Sequence, residues 1–453
     1  MKTLNVSIQG STLMKSSMSH PLNLLCLRAH FLLILNWLFV ASKDKLMNDP
    51  AFQLNQFISP KLKLKAFRDH IREKSNSSQP NVEFDRKRAV EVRDGVSQNF
   101  GMTLIGQFVS IYTRVSDFRN ASDKPWDVSF TNEQGIDAGG PACELVSELA
   151  IDLCSPNCGL VVPVPNARND VGLHRDCVIP LPNPAIENAD KRYRCSGVVI
   201  AICVRTGLVQ SFNFPPLFWE YMISETISIE GIFEIDENYA MLIQALKECQ
   251  ASGADDETFR TRLNHKFVVT DMRGNEVPLI QRGRLEAVTA SNCARFISLA
   301  NEFRINEIKQ YLAAIRAGFW ENLGIKPLPS LNWRTLEFAA CGEREITVDA
   351  LRKVTKFEGG INKTQQEIFW KVVENFTPDQ RSLLLKFSTG RSRLPPITEG
   401  QTYLKIDSMG GTDLMPTSST CFHQLHMPTY SSYDKALRLI TVAIEYTGSF
   451  ECR

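Results

Sequence analysis

Residues 414–432 read LMPTSSTCFHQLHMPTYSS, and they raise the question of why a thiol stands at Cys421. Ser418, Ser419 and Thr420 put small hydroxyl side chains on one side of it, and Phe422 flanks the other. Thr, Cys, Phe and Leu favour extended structure, so the stretch reads as a strand or loop edge that Pro428 closes. Small neighbours leave the sulfur approachable, and a thiol used covalently needs both access and a thiolate fraction. His423, two residues on, would share a face with Cys421 in a strand and could help deprotonate it. A cysteine that merely packs is the other reading, and these residues alone leave both open.

Outward from this point the chain alternates helical and extended patterns, which predicts an α+β arrangement. Ser431 with Asp434 opens a last helix whose face is Tyr433, Leu437, Ile440 and Ile444, with the tail from Gly448 beyond it. Upstream, Thr377-Pro378-Asp379-Gln380 has the form of a capping box, and Gly390 is placed to end that helix. Gly359 and Gly360 follow a helical segment ending near Thr355, and two adjacent glycines can absorb large backbone changes. A long helix opens near Ser291 and carries Phe296, Leu299, Phe303, Ile308, Leu312 and Ile315. Pro141 suits a first helical position, ahead of a stripe of Ala142, Leu145, Val146, Leu149 and Leu153. Lys61–Lys74 reads as a basic helix, and Ser75–Pro80 as a linker.

Bulk composition narrows the classes. The 453 residues suffice for two or three domains, and 51 Lys plus Arg against 50 Asp plus Glu leave no field pointing to nucleic acid or anionic membrane. Twelve cysteines in so long a chain are too sparse for a disulfide scaffold and none has CxxC spacing, which predicts reduced thiols in a cytoplasmic or nuclear protein. Residues 21–41 are strongly apolar, but Arg28, His30 and Asn36 interrupt any span of about 20 residues, so a buried or docking helix is expected rather than membrane insertion.

The motif order carries a resemblance. Leu414-Met415-Pro416 upstream of Thr420-Cys421-Phe422, with Leu425-His426-Met427-Pro428-Thr429-Tyr430-Ser431 downstream, resembles the active-site region of HECT-type ubiquitin ligases. Phe130–Gly140 resembles that family's glycine-rich turn. Leu336-Glu337 with Cys341-Gly342, then Phe369-Trp370, then Lys386–Pro395 fall in the family's order. Val164-Pro165-Asn166-Ala167, Leu181-Pro182-Asn183-Pro184 and Ala201–Gly207 are similar to the large HERC branch. The likeness covers roughly residues 60–453.

The resemblance implies a bilobal α+β fold. Residues 1–60 would be an extension with an apolar helix and 61–355 a large, mostly helical N-lobe, with a conjugating-enzyme-binding subdomain at about 212–290. A hinge at 356–361 containing Gly359 and Gly360 and a small C-lobe at 362–453 would follow. It further implies that Cys421, flanked by Thr420 and Phe422, carries ubiquitin as a thioester received from a conjugating enzyme and passes it to a substrate lysine, with no cofactor and no metal. By family position, Ile243 and Leu246 on one helical patch, with Phe296 and Phe303 from the long helix, are candidate exposed anchors for the conjugating enzyme, with ordinary core as the equal alternative, and Phe450 is the C-terminal anchor. Ser419 stands where family members often have His, and His423 fills a variable position, so neither takes a role from the resemblance.

Three other functions compete on the residues themselves. Cys154, Cys158, His174 and Cys177 offer ligand types for structural zinc, although His174-x-x-Cys177 is an atypical half-site. A cysteine hydrolase would pair Cys421 with a distant histidine. A non-catalytic binding module would leave the thiol unused.

Overall fold

The computed structural model describes residues 21–41, 58–77, 79–112, 118–120, 124–132, 140–182, 187–328, 331–343, 345–389, 393–394, 402–419 and 422–450. Thr420, Cys421, the glycine turn at 133–139, Gly390 and the rest of the N-terminal extension lie outside the described residues.

Helix α1 (Pro21–Ala41) packs on α2 (Pro60–Glu73). Leu35 and Phe39 are buried there while Phe31, Ile34 and Trp37 stay exposed. Asn36, which interrupts the apolar run, donates to the Leu32 carbonyl at 2.7 Å and accepts the Ser59 N–H at 2.8 Å. No helix among the described residues is long and apolar enough to cross a membrane. Ser75, Asn76 and Pro80, in the stretch expected as a linker, are pinned instead. Ser75 Oγ lies 2.6 Å from a guanidinium nitrogen of Arg205, the Asn76 N–H donates to the Arg119 carbonyl at 3.1 Å, and the Pro80 carbonyl accepts from Asp127 at 3.0 Å. Its polar residues satisfy backbone groups where neither helix nor strand continues.

Strand β1 (Asn81–Phe84) leads through α3 (Arg86–Arg93) and α4 (Leu104–Ile111) to its parallel partner β2 (Asp127–Phe130). The predicted stripe of α5 (Gly140–Cys154) is in the core, with Ala142, Leu145, Val146 and Leu149 at 0% exposure. Strands β3 (Val161–Pro163) and β4 (Val178–Pro180) form a ribbon around α6 (Pro165–Asn169), and α7 (Ala189–Thr206) follows. Next come α8 (Pro216–Ser224), α9 (Ile229–Ile235), α10 (Glu237–Ala251), α11 (Asp256–Arg262) and the hairpin of β5 (Val268–Thr270) and β6 (Glu276–Pro278). The long α12 (Cys293–Leu323) and α13 (Trp333–Cys341) complete this part.

Helices α7 and α12 form the spine. A Cβ on Gly197 would stand 1.9 Å from the Ile315 carbonyl oxygen, and one on Gly318 1.9 Å from that of Arg194. Only hydrogen at both positions lets the two backbones touch. At the far end of α7, buried Arg205 gathers helix C-termini, reaching the Ile71 carbonyl of α2 at 3.4 Å and the Asn322 carbonyl of α12. Its charge thus faces the negative ends of two helix dipoles rather than a carboxylate.

Midway along α12, Arg304 holds the α9–β6 segment. It is fully buried, 2.8 Å from Asp236 and 2.5 Å from the Thr270 carbonyl, and stacks on Tyr239. Glu307 beside it accepts the Met272 N–H at 3.0 Å, and burial pushes its carboxyl up to about 7.

Residues from Ile346 onward build a separate core. It contains α14 (Val348–Val354), β7 (Thr355–Phe357), α15 (Lys363–Asn375), α16 (Pro378–Thr389), β8 (Leu404–Thr412), β9 (Thr417–Ser419), β10 (Gln424–Thr429) and α17 (Tyr433–Phe450). The predicted capping box is present: the Gln380 N–H donates to Thr377 Oγ1 at 3.2 Å and the Thr377 N–H to Gln380 Oε1 at 3.1 Å. The four strands run in the order β7-β8-β10-β9, with β7 and β10 parallel to β8 and β9 antiparallel to β10.

Two expectations change here. Gly359 and Gly360 do not separate two units, because β7 before them already pairs with β8. Glu358 donates to the Ile406 carbonyl at 2.7 Å and Ser408 to the Gly359 carbonyl at 3.1 Å, so the glycines turn the chain inside one sheet. The first core ends at Cys341 and the second begins at Ile346. The last helix also differs: Ser432, not Ser431, accepts the Lys435 N–H at 3.3 Å, and the helix continues through Phe450 rather than stopping near Ile444.

Replacing Gly197 or Gly318 by Ala is expected to cost about 2–3 kcal/mol, the price of forcing matter into a packed interface. Thermal unfolding measures this, and an unchanged melting temperature would contradict the contact. Glu307 predicts a pH effect. Its folded pKa of about 7 lies above the ordinary 4.5, so the stabilisation is complete below about pH 4.5 and is lost as pH rises through about 7. Between about pH 5 and 8 the wild-type melting temperature should fall more steeply than that of Glu307→Gln, and parallel curves would remove Glu307 as the cause.

Candidate active site

The segment carrying Cys421 joins β9 to β10, and both strands are held in register on either side of it. Gln424 pairs with Ser419, Leu425 with Ser418 and His426 with Thr417, while β8 places Lys405, Ile406 and Asp407 against the same three β10 residues. Strand parity then divides the faces. Leu425, Met427 and Ile406 point into the core at 0% exposure. Ser419, Gln424, His426 and Asp407 share the opposite face.

That face carries a continuous hydrogen-bond chain. His426 Nδ1 lies 2.6 Å from Asp407 Oδ1, and His426 Nε2 lies 2.8 Å from Ser419 Oγ. The Gln424 amide donates to the second Asp407 oxygen at 2.7 Å. Reasoning from sequence missed Asp407, Gln424 and His426. The alternation Gln424, Leu425, His426, Met427 marked His426 as outward-facing, but nothing local showed that Asp407 would stand beside it.

His423 lies off the strand. Its φ of 52° is left-handed and its ring sits 4.5 Å from that of Tyr403, so the expected extended geometry shared with Cys421 is absent at this residue. Phe422 is 71% exposed, and Leu414 and Met415 are also exposed.

The strands are tied from behind. Buried Gln365 of α15 donates to the Tyr430 carbonyl at 3.0 Å and accepts the Tyr430 N–H at 2.9 Å. Asp413 accepts from the Ser431 N–H at 2.9 Å, Ser431 Oγ at 2.7 Å and Lys435 Nζ at 2.5 Å, and these bonds hold its carboxyl down at about 2. Ser431, expected as a helix cap, is committed to Asp413.

At the break between the two cores, Gly342 ends α13 with φ 74° and ψ −163°, a conformation that glycine alone adopts without strain. A Cβ there would meet the Leu394 carbonyl oxygen at 2.1 Å, and Glu343 donates to that same carbonyl at 2.9 Å. Cys341 and Cys154 lie near Arg393. Burial pushes their thiols up to about 12 and about 11, so both stay protonated and unreactive.

The candidate conjugating-enzyme anchors are mostly interior. Ile243 is 1% exposed, and Leu246 and Phe296 are 0%, because α10 turns this face onto α12 and the rings of His265 and Phe267 pack edge-on against Phe296. Phe303 is half-buried against the same core. Of the two readings, exposed anchors or ordinary core, the burial of Ile243, Leu246 and Phe296 corrects the first and fits the second. Met241 and Leu285 are the large apolar side chains this region exposes among the described residues. For the zinc alternative, no group of three or more His, Cys, Asp or Glu side chains among the described residues is placed to hold a metal ion. Cys154 instead donates to the Ser211 carbonyl at 3.8 Å.

The sequence profile of the family described as HECT-domain (ubiquitin-transferase) matches residues 147–453. The chain is 28% identical over 337 residues to the E3 ubiquitin-protein ligase HERC2 of Homo sapiens, covering 72% of this chain and 7% of that protein. It is 25% identical over 346 residues to the E3 ubiquitin-protein ligase ptr1 of Schizosaccharomyces pombe, covering 73% and 10%. Identity to the E3 ubiquitin-protein ligase NEDD4 of Mus musculus is 26% over 340 residues, covering 72% and 36%. The chain therefore spans a tenth or less of the length of HERC2 and ptr1.

Proposed function

We propose that this chain, which belongs to the HECT-domain (ubiquitin-transferase) family, is a ubiquitin-protein ligase that carries ubiquitin as a thioester on Cys421. The observation that carries the proposal is the family match over residues 147–453, which takes in the whole motif from Leu414 to Ser432. The partners this implies are ubiquitin, a conjugating enzyme and a protein substrate with an accessible lysine.

Two acyl transfers make up the reaction. Cys421 Sγ attacks the thioester carbonyl at the ubiquitin C-terminus and the conjugating enzyme's thiolate leaves. A lysine amine then attacks the new thioester, forming an isopeptide bond and releasing Cys421. The first step exchanges one thioester for another, so positioning rather than driving force limits it. The ordered strands β9 and β10 on either side of Cys421 support such positioning, and Thr420 and Phe422 flank the sulfur in sequence. Phe450 is the proposed anchor for the second step.

We place the hinge at 342–345 rather than at Gly359 and Gly360. The separate cores on either side of 342–345 support this, as does the sheet that spans both sides of Gly359.

With activating enzyme, conjugating enzymes and ubiquitin, wild-type protein should form a reductant-sensitive adduct that Cys421→Ala lacks and Cys341→Ser retains. A thioester on Cys421→Ala would sink the assignment. For the hinge, Glu345→Pro should slow single-turnover transfer from the conjugating enzyme roughly tenfold, whereas the double variant Gly359→Ala/Gly360→Ala should lose about 1–2 kcal/mol of stability and transfer at the wild-type rate. The reverse pattern would return the hinge to the glycine pair.

A further inference from the structure

The outward face of β8, β9 and β10, where β9 and β10 are the strands that the Cys421 segment joins, carries groups that the two transfers as described leave unused. The 2.6 Å contact between His426 Nδ1 and Asp407 Oδ1 suits an imidazole that donates from Nδ1 to an accepting carboxylate oxygen. In the neutral ring Nε2 is then an acceptor, and Ser419 Oγ–H donates to it across 2.8 Å. The Gln424 amide occupies the other Asp407 oxygen and keeps the carboxylate from rotating away. Both His426 and Asp407 are about one-quarter exposed, so the chain is reachable from solvent without being dissolved in it. Ser419 keeps oxygen lone pairs that the imidazole does not use, and it lies two residues before Cys421 in sequence.

We propose that Asp407 and His426 are positioning residues for the second transfer, presenting Ser419 Oγ as the hydrogen-bond acceptor for the attacking amine. This rests on the reading of Cys421 as the thioester carrier. As the amine nitrogen bonds to the thioester carbonyl carbon, the carbon–sulfur bond breaks and its electron pair leaves with Cys421 Sγ. The surplus proton on nitrogen passes to Ser419 Oγ while the serine's own proton moves to His426 Nε2, giving an imidazolium held by Asp407. That proton then returns to the Cys421 thiolate, and all groups are as they began.

The direction of the chain depends on His426 being neutral. Once protonated, its Nε2–H donates to Ser419 Oγ, the hydroxyl turns its own proton outward, and the amine meets a donor instead of an acceptor. The other charged groups on this face by register are Lys405 of β8 and Lys356 of β7, the latter 3.1 Å from Glu358. Helix α16, which packs against β9 and β10, carries Asp379, Arg381 and Lys386, with Arg381 committed to the Ile346 carbonyl at 2.6 Å.

The test loads the full chain with ubiquitin, quenches loading, and follows discharge onto free lysine from about pH 5.5 to 8.5. Discharge is normalised to the thioester each variant has formed, which also reports that the variant is folded. Free lysine itself ionises, so the ratio of wild-type to variant rate is the informative quantity. For His426→Gln and Ser419→Ala the ratio should be near one at low pH and climb to roughly tenfold or more as pH rises. Ser419→Thr, which keeps the hydroxyl, should stay close to wild type throughout. A ratio constant with pH would mean that these side chains only brace the strands, and wild-type discharge by Ser419→Ala would remove the relay. Failure of the wild type to form any Cys421 thioester would overturn this proposal together with the function it rests on, whereas normal loading with pH-independent ratios overturns the relay alone.

Discussion

Backbone contact between α7 and α12 is the constraint on which the larger part of the molecule depends. Gly197 and Gly318 allow these two helices to touch at carbonyl distance. Several further attachments follow from what α12 does along its 31 residues. Its first half buries Phe296 and clamps the α9–β6 segment through Arg304. Its last turn meets Arg205, and α13 then delivers the chain to Gly342. Separating the spine by even a methyl group would shift these attachments together, because a packed interior transmits strain rather than absorbing it.

The smaller part is organised by a different rule, the parity of a sheet. One set of β10 side chains, Leu425 and Met427, fills the core, and the alternate set, Gln424 and His426, faces outward. A single-residue slip would exchange them, and the burial of Leu425 and Met427 is what prevents it. Thus the apolar residues of β10 decide which polar residues occupy the outward face of the strands that the Cys421 segment joins. Gln365 and Asp413 add a second lock by fixing Tyr430 and Ser431, where the chain leaves the sheet.

Much of this was legible in the sequence where the controlling interactions are local. The stripe from Ala142 to Leu153, the long helix from Cys293 and the capping box at Thr377 and Gln380 all rest on contacts within four residues or on one helix face. The motif order around Cys421 pointed to the family whose profile matches residues 147–453, although Cys421 itself lies outside the described structure. What was not legible depends on partners far away in the chain. Gly359-Gly360 and Gly342 all signal unusual backbone, but only the pairing of β7 with β8 and the crossing of Leu394 show which of them lies between cores. Ile243, Leu246 and Phe296 were visible as a stripe, and a stripe does not say whether its face is covered. His426 meets Asp407 through parallel pairing of β10 with β8, a register that no short window of sequence contains. Ser432 displaced Ser431 as the cap for the same reason: Asp413, distant in sequence, claims Ser431.

The setting of Arg205 has a genetic consequence. Its partners are carbonyl groups of Ile71 and Asn322 and the hydroxyl of Ser75, so no carboxylate elsewhere has to be kept to balance it. Substitutions at positions 71 and 322 keep the carbonyls whatever side chain they bring. Within this junction of three helix ends, the polar contacts therefore depend on only two side chains, Arg205 and Ser75, and inherited variation breaks them through those two codons.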